Sequence, residues 1–172
     1  MQRSVARLRG LGFIIWHTRH HFYHILIGVI WAWFLRELWQ EFNPVWIILS
    51  VVFSELPDID HFIYFVTYGR KDPYSQLVKQ LFAGREWRIL WTTLENGHKA
   101  NTNLATHNYF TVMVLLTLAL VSYLYQWQSG VVIFGAMTLH YLFDILDDLL
   151  ILGSVNPNWK RVGRVRNKQI SK

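Results

Sequence analysis

The 172-residue chain contains no cysteine. Disulfides and thiolate metal sites are thereby excluded, and any metal must be held by histidine and carboxylate. Lysine and arginine are absent from the last two long apolar runs, Phe110 to Trp127 and Gly130 to Leu152, and the first of these has no charge of either sign. No small-residue cleavage site follows the first apolar run, which begins only after a basic, histidine-rich lead, so a cleavable signal peptide is not expected. No internal repeat is visible, which argues against a monomeric transporter built from related halves.

What is abundant is apolar and aromatic. Hydrophobic residues make up 52% of the chain, with nine tryptophans and eight tyrosines, a composition that suits a small membrane bundle with interfacial aromatic belts. The formal charge of +6 does not point to nucleic acid, because the basic residues lie at the two ends and in one middle segment. Six of the acids (Glu55, Asp58, Asp60, Asp144, Asp147 and Asp148) sit in or beside apolar runs. No specific nucleic-acid binding is expected.

The runs read as spans. Phe22 to Trp39 is interrupted only by His24, Arg36 and Glu37; Val45 to Phe53 follows an Asn43-Pro44 helix start and continues, after the turn-like SELPDID, into HFIYFVTY from His61. Phe110 to Trp127 is the clearest membrane signal, and Gly130 to Leu152 is the fourth candidate. The alternative, a soluble helical protein, leaves too little polar surface to cover four such runs. Residues 1–21 carry four arginines and no acids, the connection 69–106 six basic residues against three acids, and the tail after Gly153 six basic residues and no acids. By the positive-inside rule, four spans then place both termini and the middle loop in the cytoplasm. Trp87, Leu90, Trp91 and Leu94 recur at helical spacing in that loop, as expected of a helix lying on the membrane surface or packing against the bundle. The expected architecture is all-α: a basic lead (1–21), a membrane-embedded domain (22–152, with its interfacial loop about 69–106) and a basic tail (153–172), the second span broken at LPDID.

This topology gathers the unusual polar residues in one half of the bilayer. His140, Asp144 and either Asp147 or Asp148 share one face of the fourth helix. Carboxylates in hydrocarbon cost roughly 2.5–3.5 kcal/mol each on insertion scales, so they need a divalent metal or a water-filled cavity as compensation. His140 alone reads more simply as a hydrogen-bonded core histidine. Pro57 breaks the second helix, and Asp58 and Asp60 flank the turn, either as ligands and ligand-orienting groups or as caps on free N–H groups. His20 and His24 have the i, i+4 spacing of a metal pair. His17, His20 and His21 read more simply as a histidine-rich membrane-surface segment, whereas His24 enters the apolar run. His107 directly precedes the third span, where Thr106 or Asn108 can cap the helix; His98 lies in the polar loop, and His61 is either a ligand or an interfacial side chain.

YHILIG, LPDIDH, ATHNYF and LHYLFDILDD, in this order between hydrophobic spans, resemble the YdjM-like family of small inner-membrane metal-dependent hydrolases. The likeness covers about residues 22–152. It implies a metal set of His24, Asp58, Asp60, His107, His140 and Asp144, a prokaryotic inner-membrane location, and kinship with zinc-dependent phospholipase C and nuclease folds. The chain departs from the family pattern at Thr102 and Asn103, which stand where a histidine and an arginine are usual, at Asn108 in place of serine, and at Asp147 in place of threonine. The resulting expectation is a cytoplasm-facing site holding one or two divalent metals, zinc first and manganese, iron or magnesium as alternatives. A non-ligating Asp147 or Asp148 would serve as general base in hydrolysis of a lipid or lipid-linked phosphoester. Cation or proton transport and a metal-stapled scaffold are the competing expectations.

Overall fold

In a computed structural model, which describes residues 11–101 and 104–160, the chain is helical, with no strand among the described residues. Helix α1 is Leu11–Trp39 and α2 is Pro44–Glu55. The Asn43-Pro44 start is as expected: the Asn43 side chain accepts from the Val45 N–H at 3.0 Å, and Pro44 occupies a first-turn position where a missing N–H costs nothing. Pro57 ends α2 in a 3-10 turn, Leu56–Asp58, and the chain resumes as α3, Ile59–Val66.

The middle connection folds into two helices, α4 (Pro73–Ala83) and α5 (Trp87–Asn101), which pack on each other. The second was expected from its apolar spacing; the first was not. In α5, Leu90 is buried while Trp87 and Trp91 stay exposed.

The remaining long helices are α6 (Tyr109–Leu124) and α7 (Gln128–Leu152). Asn108, rather than Thr106, caps α6, accepting from the Thr111 N–H at 2.9 Å. Helix α7 is the hub, packed against α1, α2 and α6. Toward its start, Val131 and Val132 meet Leu35 of α1 and Trp46 of α2, and the Trp31 indole N–H donates to the Val132 carbonyl at 3.1 Å. Further along, Tyr141 packs with Val112, Leu115 and Trp159. Two glycines permit these crossings: a Cβ on Gly28 would sit 2.8 Å from the Val51 Cα, and one on Gly135 would collide with the Trp31 ring.

After Gly153, whose φ of +69° closes α7 in the left-handed region, the chain turns back. Pro157–Lys160 forms a last 3-10 turn that buries Asn158 and Trp159. This part of the basic tail therefore docks on the bundle.

Of the four expected spans, one helical segment among the described residues, Gln128–Leu150, is long and apolar enough to cross a membrane. Helix α6 is apolar but has only 16 residues, about 24 Å of helix, because the Asn108 cap and the turn at Tyr125 trim the run at both ends.

Candidate metal centre

Helix α7 carries His140 and Asp144 on adjacent turns, with the imidazole Nε2 3.1 Å from the Asp144 Oδ2. The last carbonyls of a helix have no intrahelical donor, and that of Ser54, one turn before Pro57, is met by His140 Nδ1 at 2.6 Å. A carbonyl only accepts, so Nδ1 carries a proton and Nε2 is the nitrogen turned toward Asp144. His140 is fully buried.

The Pro57 break brings Asp58 to the same place, its Oδ1 3.8 Å from His140 Nε2. Asp58 starts α3 but makes no capping bond, so the capping alternative does not account for it. Asp60 is held differently: it accepts from the Tyr68 hydroxyl at 2.7 Å and from the Thr106 N–H and hydroxyl at 2.8 and 2.7 Å. These bonds tie the turn to the start of α6 and set Asp60 Oδ2 3.6 Å from His107 Nδ1. The opposite nitrogen, His107 Nε2, lies 3.5 Å from Asp144 Oδ2. Asp60 is thus an orienting group behind His107, in the carboxylate–histidine arrangement common behind metal ligands. From the other side, Asn158 donates to the His107 carbonyl at 3.0 Å.

Helix α1 contributes His24, stacked on His140 with ring centroids 3.9 Å apart and its Nε2 3.4 Å from Asp144 Oδ1. One turn earlier, His20 Nε2 lies 2.9 Å from His24 Nε2 and 3.6 Å from Asp144 Oδ1. His20, read from the sequence as part of a surface segment, therefore belongs to the site. His21 bonds Glu55 at 2.8 Å, and His61 Nε2 stands 3.5 Å from Asp58 Oδ1.

Asp58, His107, His140 and Asp144 each offer a ligand atom within 4.8 Å of the others. A tetrahedral zinc site, with bonds of about 2.0–2.2 Å, requires ligand atoms roughly 3.3–3.6 Å apart, and the separations of 3.1, 3.5 and 3.8 Å bracket that spacing. Both oxygens of Asp58 and of Asp144, both ring nitrogens of His107, and His140 Nε2 are buried without a hydrogen-bond partner. An unsatisfied buried polar atom costs about 1–3 kcal/mol, more when charged; several aimed at one point are unstable unless a cation binds them. The cluster is therefore able to hold a metal ion.

Electrostatics in the segment before α6 agree. For His107 burial is outweighed by Asp144 and Asp60, which push it up to about 9, so a metal must displace a proton there.

The two acids considered as general bases lie one to two turns further along α7. Asp148 is buried and accepts from the Trp159 indole N–H at 2.8 Å and the Asn156 N–H at 3.3 Å, fastening the returning tail. Asp147 is half-buried. The side chains of His17 and His98, and the departures at Thr102 and Asn103, lie outside the described residues. Sequence reasoning missed Ser54 and Tyr68, marked Glu55 only as an acid beside an apolar run, and offered Thr106 only as an alternative cap; their contribution is a carbonyl or a bond across the fold, for which no spacing signal exists. No family model, curated protein or solved structure matches this chain.

Proposed function

We propose that the protein is a membrane-embedded, metal-dependent hydrolase of the YdjM-like kind, its site opening toward the cytoplasm and acting on a phosphoester of a lipid or lipid-linked molecule. The observation that carries the proposal is the convergence of buried, unpartnered ligand atoms from Asp58, His107, His140 and Asp144. Supporting the membrane setting, large apolar side chains face outward on all the long helices, among them Ile30, Trp33, Ile48, Phe62, Met113 and Leu150, an exterior that soluble monomers rarely expose over so wide an area. In this arrangement α1, α2–α3, α6 and α7 are the four spans. Phe22, Ile59, Phe62 and Phe110, one to four residues from candidate ligands in sequence, are exposed as well, which suits a substrate with an acyl or isoprenoid part.

Zinc, favoured by the mixed imidazole and carboxylate donors, would, if held by these residues, supply Lewis acidity toward a phosphoryl oxygen and acidify water. The chain's own residues do the rest. His140 is held in one tautomer by the Ser54 carbonyl, and His107 is braced between Asp60 and Asn158. Their fixed rings keep the donor set in place without reorganisation. Asp147, one turn beyond Asp144 on α7, is the acid assigned to proton transfer.

Elemental analysis of the detergent-purified full chain, beside His140→Ala and the isosteric Asp144→Asn, tests the proposal. We expect bound zinc in the wild type, loss of it in both variants, and loss in parallel of hydrolysis of a chromogenic phosphodiester. A wild type that binds no metal overturns the proposal. Bound metal with ion flux into liposomes and no hydrolysis assigns the site to transport instead.

A further inference from the structure

Asp58 and Asp144 do not aim both oxygens at the same imidazoles. Asp144 turns Oδ2 to His140 and His107, at 3.1 and 3.5 Å, and Oδ1 to His24 and His20, at 3.4 and 3.6 Å. Asp58 also divides, with Oδ1 3.8 Å from His140 Nε2 and 3.5 Å from His61 Nε2, and Oδ2 3.9 Å from both His20 Nε2 and His21 Nδ1. All four oxygens are buried and without a hydrogen-bond donor. Alongside the first donor group, His20, His24 and Asp58 form a second, with ligand atoms within 4.8 Å of one another.

We propose that the cluster is a dinuclear centre, one divalent ion on His107 and His140 and the other on His20 and His24, with Asp58 and Asp144 bridging between them. This rests on the metal reading given above and deepens it. A single ion at the first group would leave Asp144 Oδ1 and Asp58 Oδ2, both buried and without a hydrogen-bond donor, uncoordinated on the side of His20, His24 and His21. His20 keeps 28% side-chain exposure, whereas His140 has none, so the second ion is the one nearer solvent. Two-metal sites with ions about 3.5–4 Å apart stabilise both the entering and the leaving oxygen of an in-line displacement. The inferred substrate class is accordingly a phosphodiester, whose phosphoryl group has an oxygen for each ion.

The test is manganese loading of the chelator-treated full chain in detergent, read by elemental analysis and by electron paramagnetic resonance. Two ions per chain with an exchange-coupled spectrum are expected for the wild type. His20→Ala and His24→Gln should each halve the metal content and convert the spectrum to that of isolated manganese. One ion per chain, lost in His140→Ala and unchanged in His20→Ala, overturns the second site and leaves the hydrolase proposal standing. Two uncoupled ions overturn the bridging carboxylates, and no bound metal overturns both proposals. The wild-type spectrum decides the bridging even if a variant fails to fold.

Discussion

Asp60 shows how little a residue's identity says about its job. The sequence marks it with Asp58 as one of two carboxylates flanking a turn, yet Asp58 meets His140 across the site while Asp60 accepts three hydrogen bonds and stands behind His107. The difference predicts different outcomes. Asp58→Asn should abolish metal binding, whereas Asp60→Asn, which keeps an acceptor but removes the charge facing His107 Nδ1, should weaken zinc affinity about 10–100-fold, the usual effect of losing such an orienting group. Competition titration against a chromophoric chelator measures both; equal losses would show that Asp60 is itself a ligand. Asp147→Asn should leave metal content unchanged and reduce phosphodiesterase turnover about 100-fold or more, as loss of a general base does. Unchanged turnover removes Asp147 from the chemistry.

At the scale of elements, the site depends on close approaches between helices. Gly28 lets α1 lie on α2 where Ser50, Val51 and Ser54 leave room only for hydrogen, and the Ser54 hydroxyl bonds the His24 carbonyl at 2.9 Å across that contact. Small residues play this part wherever helix backbones meet closely. Gly28→Ala forces α1 away from backbone atoms that cannot yield, and should cost about 1–3 kcal/mol, seen as a lower unfolding temperature together with weaker metal retention, since His20 and His24 ride on α1. The returning tail is a second fastening. Trp159 is buried against Val112, Leu115 and Tyr141, so Trp159→Ala should destabilise by about 3–5 kcal/mol, while Asp148→Asn, which still accepts the indole hydrogen bond, should cost far less. Similar losses in the two variants would place the energy in the Asp148 charge and not in ring packing.

For the whole molecule the question is which solvent surrounds it. Among the described residues only Gln128–Leu150 is long and apolar enough by itself, but the outward-facing Trp33, Ile48, Phe62 and Met113 belong to four different helices, and water would meet apolar surface on each. The protein should therefore sediment with membranes after alkaline carbonate extraction and dissolve only in detergent; recovery in the carbonate supernatant would sink the membrane assignment.

Much of this was legible in the linear pattern. Asn43-Pro44, Pro57 and the Asn108 cap are local signals, and each set a helix boundary where expected, because capping and proline geometry act within a few residues. His140 and Asp144 were legible as a pair because helical periodicity alone puts i and i+4 on one face. What the sequence by itself determined, then, is the helices, their breaks and the stripe of donors on α7. Only the tertiary structure decided that His20 points into the site, that Asp148 holds Trp159, and that Ser54 and Thr106 orient the ligands. Those roles arise where separate helices meet, through a carbonyl or a hydroxyl that any packed neighbour can use, and no periodicity along one chain encodes which neighbour that will be.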